Sequence, residues 1–433
     1  MTSTYADFLA RKKRRAGDYG IACTRDDVNP YLHEWQRQIV AWAVRKGRAA
    51  IFADTGLGKT LMQLEWAHLS GDTCLIVAPL AVTAQTVEEA RKVGLDVTYT
   101  RDGVTGPGLW ITNYEMVGHV DPAVLDAVVL DESSILKQSD GKTRTRLIEH
   151  FQDVPRRLAC SATPAPNDSE ELTNQAEWLG VSTRVNMLAA YFVHDDTGWR
   201  LKGHARGPMM RWMASWAVAL RHPRDIGWEW PGYDLPGLDI VPQIVDYDPV
   251  ADDALFSAGP GGVGGRAAMR RDTLNLRCQR AADLVNAEPD EAWILWCGLN
   301  DEADALARMI DGAVNVHGGM SPEEKADIFL SFAKGTPRVL ITKPSMAAFG
   351  LNWQHCARMA FVGLSDSYEQ YYQAIRRCYR YGQQRVVQAH IVLTSAEASI
   401  AANVARKERD ADRLHAELVS QMVAAGELQE EAS

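Results

Sequence analysis

A-D-T-G-L-G-K-T, residues 53–60, decides the reading of this chain. The apolar run Ala49, Ala50, Ile51, Phe52 precedes it as a buried strand would, and Leu61, Leu64 and Ala67 follow at helical spacing, so the glycines lie at a strand-to-helix turn. Such a turn suits phosphate. Thr55, Gly56, Leu57 and Gly58 offer backbone N–H groups at the positive end of a helix, Lys59 reaches outer phosphate oxygens, and the Thr60 hydroxyl can ligate Mg²⁺. The general pattern has glycine six residues before the lysine, and here Ala53 stands there.

Upstream, Gln36 sits in L-H-E-W-Q-R-Q, residues 32–38, ahead of Ile39, Val40 and Trp42 at helical spacing. A glutamine just before a phosphate loop can present its carboxamide to an adenine edge. Downstream, residues 74–78 and 109–111 read as further buried strands, ending near Thr83 and Thr112. Polar residues where parallel strands end are where open α/β sheets place ligands. Both threonines suit phosphate-backbone contacts, and turn or cap roles suit them equally. The run A-V-V-L-D-E-S-S, residues 127–134, delivers two adjacent carboxylates to a strand end. Asp131 can hold Mg²⁺, and Glu132 can orient and deprotonate an attacking water. A last strand runs into Ser161-Ala162-Thr163-Pro164, whose hydroxyls can link the acidic pair to whatever moves when phosphate leaves, or simply make a turn.

With 433 residues the chain is expected to form two or three domains. No apolar run is long enough to cross a bilayer and residues 1–15 lack a signal-peptide core, so a cytoplasmic protein without membrane contact is expected. The seven cysteines form no close pair, which points to buried thiols and away from zinc. A net charge of −10 argues against a general nucleic-acid coat, so any such site must be a local basic track. Two stretches qualify. Residues 5–15 end in five consecutive basic side chains, free to touch phosphate or to be solvated. Residues 197–224 contain no Asp or Glu but carry Arg206, Arg211 and four other cations between Trp199, Trp212 and Trp216. This stretch reads as a buried aromatic face with a basic outer face, and the arginines can contact DNA.

Residues 291–342 alternate strand and helix again, which implies a second parallel sheet, this one without a phosphate loop. Its distinctive pieces are G-L-N at 350–352 and Q-A-I-R-R-C-Y-R-Y-G-Q at 373–383, where Arg377 and Arg380 are spaced to share a helix face. The glycine-rich run 259–265 lacks the Lys-Ser/Thr ending and is read as a flexible loop.

Taken in order, Gln36, A-D-T-G-L-G-K-T, A-P-L, I-T-N-Y-E, L-D-E-S-S, S-A-T-P, G-L-N and Q-A-I-R-R-C-Y-R-Y-G-Q resemble superfamily-two helicases, in particular the Swi/Snf-like branch of DNA translocases. The resemblance spans roughly residues 30–395, and residues 32–67 also look like the compact helicase-like ATPases carried on bacteriophage genomes. It departs from that branch at Ser133-Ser134, at Ala162 and at Arg376, sparing the acids and the paired arginines.

The resemblance implies an α/β fold of two RecA-like parallel-sheet domains with a mainly helical insertion between them. The expected division is a basic segment (1–30), a first RecA-like domain (31–183), the insertion (184–290), a helicase C-terminal domain (291–397) and a helical charged tail (398–433). It implies ATP with Mg²⁺ and DNA as partner, duplex before single strand. Gln36 would then read adenine, and Lys59, Thr60, Asp131 and Glu132 would serve phosphates, metal and water. Gly350 and Gln373 would border the nucleotide, Arg377 and Arg380 would act as arginine fingers, and Ser161, Thr163 and Asn352 would couple ATP to nucleic acid. The leading expectation is an ATP-dependent translocase on duplex DNA in a bacterial host cytoplasm, working with phage or host replication or recombination proteins. Its rivals are a strand-separating helicase on DNA or RNA, and a nucleotide-switched scaffold with slow hydrolysis. The last has no need of Glu132.

Overall fold

The computed structural model describes residues 16–137, 141–196, 198–246, 273–349, 352–394, 397–426 and 428. The basic run at 11–15, the glycine-rich loop at 259–265 and Gly350 lie outside them. The chain divides into two units, Met1–Trp230 with Arg409–Ser433, and Pro231–Glu408.

Short apolar runs bounded by Gly, Pro and Asp give the strands, and amphipathic stretches between them give the helices. In the first unit these are α1 (Glu34–Lys46), β1 (Arg48–Ala53), α2 (Lys59–Leu69), β2 (Thr73–Ala78), α3 (Leu80–Lys92), β3 (Val97–Tyr99), β4 (Gly108–Asn113), β5 (Ala127–Asp131), α4 (Lys142–Phe151), β6 (Arg156–Cys160), α5 (Leu172–Leu179), α6 (Arg184–Tyr191), β7 (Phe192–Asp195), β8 (Gly198–Leu201), α7 (Arg206–Met213) and β9 (Ala217–Leu220). Seven strands form one parallel sheet in the order β3-β4-β2-β5-β6-β1-β9. β2 and β5 are buried throughout, because helices cover both faces of such a sheet. β7 and β8 make a separate antiparallel hairpin.

The second unit holds β10 (Leu238–Val245), α8 (Leu274–Ala287), β11 (Trp293–Trp296), α9 (Asn300–Met309), β12 (Val314–Asn315), α10 (Pro322–Ala333), β13 (Val339–Thr342), β14 (Arg358–Phe361), α11 (Tyr368–Ile375), β15 (Val387–Thr394) and the start of α12 (Ala398–Ala425). Its sheet, in the order β10-β15-β14-β11-β13-β12, is again parallel. β10 carries Pro242, which donates no hydrogen bond, and it lies at the sheet edge where that is tolerated. The N-terminus of α10 is fixed by a reciprocal cap in which Ser321 Oγ accepts from Glu324 N and Ser321 N donates to Glu324 Oε2. The two parallel sheets with their helices are two RecA-like α/β domains.

Residues 184–290, expected as an insertion, are divided between the units. α6 to β9 belong to the first, where β9 extends the sheet beside β1, and α8 belongs to the core of the second. The aromatic face anticipated in this stretch is present: Met209, Met210, Met213 and Trp216 are buried, and Trp212 packs edge-on to Trp216. The tail returns to the first unit from Arg409 onward. There Glu417 pairs with Arg206, Asp412 lies 2.5 Å from Arg221, and the Leu428 carbonyl accepts from Gln38 Nε2 at 2.6 Å.

Candidate functional site

The sheet order of the first unit sets β5, β6 and β1 side by side, so their carboxyl ends lie about 5 Å apart in sequence of strands. The loop after β1, Ser161 after β6 and Asp131-Glu132 at the end of β5 therefore share one edge. In the loop, Gly56 and Gly58 have φ of 87° and 73°, left-handed values that glycine adopts without strain. Gly58 caps α2, and a Cβ there would collide with Gln36 Nε2. The Lys59 ammonium donates to the loop's own carbonyls, Ala53 O at 2.9 Å and Asp54 O at 3.4 Å. A glycine cradle at a helix N-terminus with a lysine folded over it fits a polyphosphate.

Gln36 is buried and holds the loop from behind. Its Nε2 donates to Leu57 O at 3.0 Å and its Oε1 accepts from His33 N at 2.9 Å. A carboxamide has two donors and two lone pairs, so one of each is left for a purine edge.

Glu132 is, among the described residues, the non-glycine residue with positive φ, at 55°. Such a backbone costs on the order of 1–3 kcal/mol and persists only where its surroundings enforce it. Two contacts hold its neighbourhood. The buried Tyr114 hydroxyl donates to Asp131 O, and Gln175, from α5, donates from Nε2 to Ser133 O at 2.9 Å and to Pro164 O at 3.4 Å. Gln175 thus ties the acidic turn to the Ser161–Thr163 turn. Burial pushes the Asp131 carboxyl above the usual carboxylate range, against the opposing pull of the Lys59 charge and of Gln63. Burial likewise pushes the Tyr114 phenol well up, helped by Asp131 and Glu132, so that it stays neutral. Thr163 N donates to Ser161 Oγ at 3.0 Å, while the buried Thr163 hydroxyl has no hydrogen-bond partner among the described residues.

Tyr114, Gln63 and Gln175 were not singled out in the sequence. A buried polar residue on a helix that otherwise faces the core is the signal that could have found the two glutamines, and both are essentially inaccessible.

The remaining expected residues fall into three groups. Thr83 and Thr112 are buried and their hydroxyls bond to backbone, Thr83 to Leu80 O and Thr112 to Thr100 O, each at 2.8 Å. Arg206 is ion-paired with Glu417, whereas Arg211 is exposed. In the second unit Asn352 is exposed, Gln373 is half-buried on α11, and Gly350 lies outside the described residues.

Arg377 and Arg380 differ from expectation in one respect. They are not on a helix, because α11 ends at Ile375. Arg377 N turns back to Ala374 O, Tyr379 N to Ile375 O, and Arg377 O accepts from Trp353 N at 2.8 Å, which draws the chain out of the helical path. The Arg376 guanidinium lies over the rings of Tyr372 and Tyr379, at 5.1 and 5.2 Å, and closes the turn. The two arginines thus stand on a loop whose backbone is bonded to the residues following Leu351.

The second sheet has its own feature at the carboxyl ends of β12 and β13, a cavity of about 620 Å³ lined by Asn300, Asn315, His317, Lys325, Lys343 and Ser345 among others. Two lysines, two amides and a hydroxyl are donors suited to phosphate oxygens. No local sequence pattern announces it, because its lining comes from α9, β12, α10 and the segments that follow β12 and β13.

Residues 277–382 match the family model of the helicase conserved C-terminal domain. That match covers most of the second unit, which is thus similar to the C-terminal domain of helicases, proteins that use ATP with a metal ion and bind nucleic acid. No curated protein matches the chain. Among the described residues no helix is long and apolar enough to cross a membrane.

Proposed function

We propose that the protein is a nucleic-acid-dependent ATPase that couples hydrolysis to movement along DNA, duplex in preference to single strand. The observation that carries this reading is Glu132, held at φ 55° beside a buried Asp131 on the sheet edge that also carries the Lys59 loop. A strained acid at a strand end, next to a phosphate cradle, is what activation of water asks for and what a binding scaffold lacks.

In this reading the loop N–H groups and Lys59 bind the phosphates of ATP, and Gln36 meets the adenine. Glu132 orients and deprotonates the attacking water, and the buried Tyr114 and Gln175 hold its turn in place. Thr60 and Asp131 would hold Mg²⁺, which when bound neutralises phosphate charge. Arg377 and Arg380 offset the charge that develops on the transferring phosphoryl group. Thr163, whose hydroxyl has no hydrogen-bond partner among the described residues, and Gln175 link that chemistry to the rest of the unit. The donor-lined cavity of the second unit takes nucleic-acid phosphate. The Swi/Snf-like branch and a phage genome as source, with replication or recombination proteins as partners, belong to the same proposal. They rest on the ordered motifs.

The test is the steady-state ATPase rate with no nucleic acid, single-stranded DNA, duplex DNA and RNA, with Lys59→Ala as blank. Duplex DNA is expected to stimulate most. Stimulation chiefly by a single strand would replace translocation with strand separation, and a rate equal to the blank in all four would overturn the ATPase.

A further inference from the structure

The chain enters the second unit at Pro231-Gly232-Tyr233, and this segment lies against the loop that carries the paired arginines. The rings of Tyr233 and Tyr381 are 4.8 Å apart at 36°. Gly232, at φ 93°, packs so closely on Tyr381 that an added Cβ would stand 3.1 Å from a ring carbon and 3.4 Å from the hydroxyl. A few residues on, Gly237 O accepts from Val387 N at 3.0 Å as β10 joins β15. The entry segment is thus fixed at both ends, by a ring at Tyr381 and by the ladder at Val387.

From its other side the arginine loop is held by polar bonds. Trp353 N donates to Arg377 O at 2.8 Å, Gln354 Nε2 to Tyr381 O at 3.2 Å, and Gln383 Nε2 to the carbonyls of Cys356 and Cys378 at 3.2 Å each. These bonds reach the backbone. Arg380 and Tyr381 are followed by Gly382 at φ 90°, a residue with no Cβ to limit rocking of the turn. An aromatic pair is worth about 0.5–1.5 kcal/mol beyond its burial and favours particular ring geometries, so it can hold a turn that hydrogen bonds alone leave free to rock.

We propose that Tyr233 is a positioning residue for Arg380 and, through the same turn, for Arg377: its ring on Tyr381 fixes the arginine loop in the conformation that ATP hydrolysis requires. The proposal rests on the reading of those arginines as charge-stabilising groups. Burial pushes the Tyr233 phenol up to about 12, helped by Tyr381, so it brings no charge to the turn, and the contact that defines the clamp is between the two rings.

The experiment uses the full chain, saturating amounts of whichever nucleic acid stimulates most, and steady-state ATP titrations. Tyr233→Ala and Tyr381→Ala are each expected to lower kcat about tenfold with KM for ATP within twofold of wild type, because misplacing a group that acts in the transition state costs rate and not ground-state affinity. Tyr233→Phe should keep wild-type kcat. The Tyr233→Ala/Tyr381→Ala double variant should be no slower than the slower single variant, since both remove one contact. Tyr233→Leu, which keeps apolar bulk, stands in if the alanine variants do not fold, with the same tenfold loss expected. Wild-type kcat in Tyr233→Ala, an equal loss in Tyr233→Phe, or multiplicative losses in the double variant would each overturn the clamp. Arg377→Ala and Arg380→Ala are run beside them. If these are inactive while Tyr233→Ala keeps wild-type kcat, the clamp alone fails; if they hydrolyse ATP at the wild-type rate, the reading of the arginines fails and takes the clamp with it.

Discussion

Both units bury charge at the carboxyl edge of a parallel sheet, and they treat it in opposite ways. In the second unit Arg277 and Glu302 are wholly inaccessible and 2.7 Å apart. Glu302 Oε2 also accepts from Gly298 N and Leu299 N at 2.8 and 2.9 Å, and Arg277 donates to Val362 O. Glu397 lies 3.9 Å from the Arg277 Nε, accepting meanwhile from Thr394 N and Oγ1. Each charge there faces an opposite one. In the first unit Asp131 is pushed toward protonation because burial outweighs the Lys59 charge and Gln63, and the next residue carries a left-handed backbone. A network of paired charges is part of the fold. A desolvated, strained one stores free energy that only a ligand or a reaction would release, and this is why we place the chemistry in the first unit.

The largest expected effects break the comparison on the chemical side. Lys59→Ala should abolish turnover, and Glu132→Gln should lower it by about 10²–10⁴ while ATP still binds. Glu132→Gly is the sharper variant. It removes the carboxylate and also suits φ 55°, so it should be as inactive as Glu132→Gln yet more stable than wild type by about 1 kcal/mol in urea unfolding. A destabilised Glu132→Gly would mean that the backbone there is not strained.

On the structural side the signs reverse. Glu302→Gln or Arg277→Met leaves one buried charge without its partner and should cost about 3–5 kcal/mol in urea unfolding. Replacing both with apolar residues of similar size should recover most of that loss. Equal damage from the single and double replacements would show that the pair supplies more than mutual neutralisation.

The contrast was only half legible in the sequence. Strand-loop-helix order around residues 53–60 and the acids at 131–132 were readable, because apolar runs that end in glycines or carboxylates are local patterns. The alternation after residue 291 gave the second sheet for the same reason. β9 was hidden, since A-V-A-L in a run rich in Trp and Met has no period that separates a short buried strand from a buried helix. β10 was obscured by Pro242, and β14 by its four-residue length. The Arg277 network and the Gln175 tie join residues 25 and 42 positions apart, and no local pattern announces them. The Arg377 turn escaped because Trp353, a distant residue, takes the carbonyl that would have continued α11.

A smaller effect sharpens the comparison at the nucleic-acid surface. The cavity lysines of the second unit are free to meet phosphate oxygens once Lys325 leaves Gly318 O, now 3.0 Å from its ammonium. Arg206 of the first unit already has Glu417. Lys325→Gln and Lys343→Gln should each reduce the slope of log affinity against log salt by about one, and Arg206→Gln should leave the slope unchanged. The reverse pattern would move the nucleic-acid track to the stretch at 197–224.

The smallest effect concerns Asp225, a carboxylate of the first unit in the turn that follows β9. Burial would raise Asp225, but His415 of the tail, 3.7 Å away, and the backbone N–H groups of Arg221 and His222, at 2.7 and 3.0 Å, hold it below its ordinary 3.8. A depressed carboxylate contributes stability that is complete above its unfolded pKa and is lost as pH falls through the folded one. Wild-type stability should therefore decline as pH drops below about 5, and Asp225→Asn should be less stable at neutral pH with a shallower decline in the acid. Urea midpoints at neutral and acid pH measure both. If Asp225→Asn kept the full acid slope, the slope would have to come from other carboxylates. Asp131 would not be one of them, because a carboxylate already raised by folding contributes the opposite sign, gaining stability as pH falls. That opposition between Asp225 and Asp131, two aspartates of one unit, is the contrast between a carboxylate whose partners outweigh burial and one whose burial outweighs its partners.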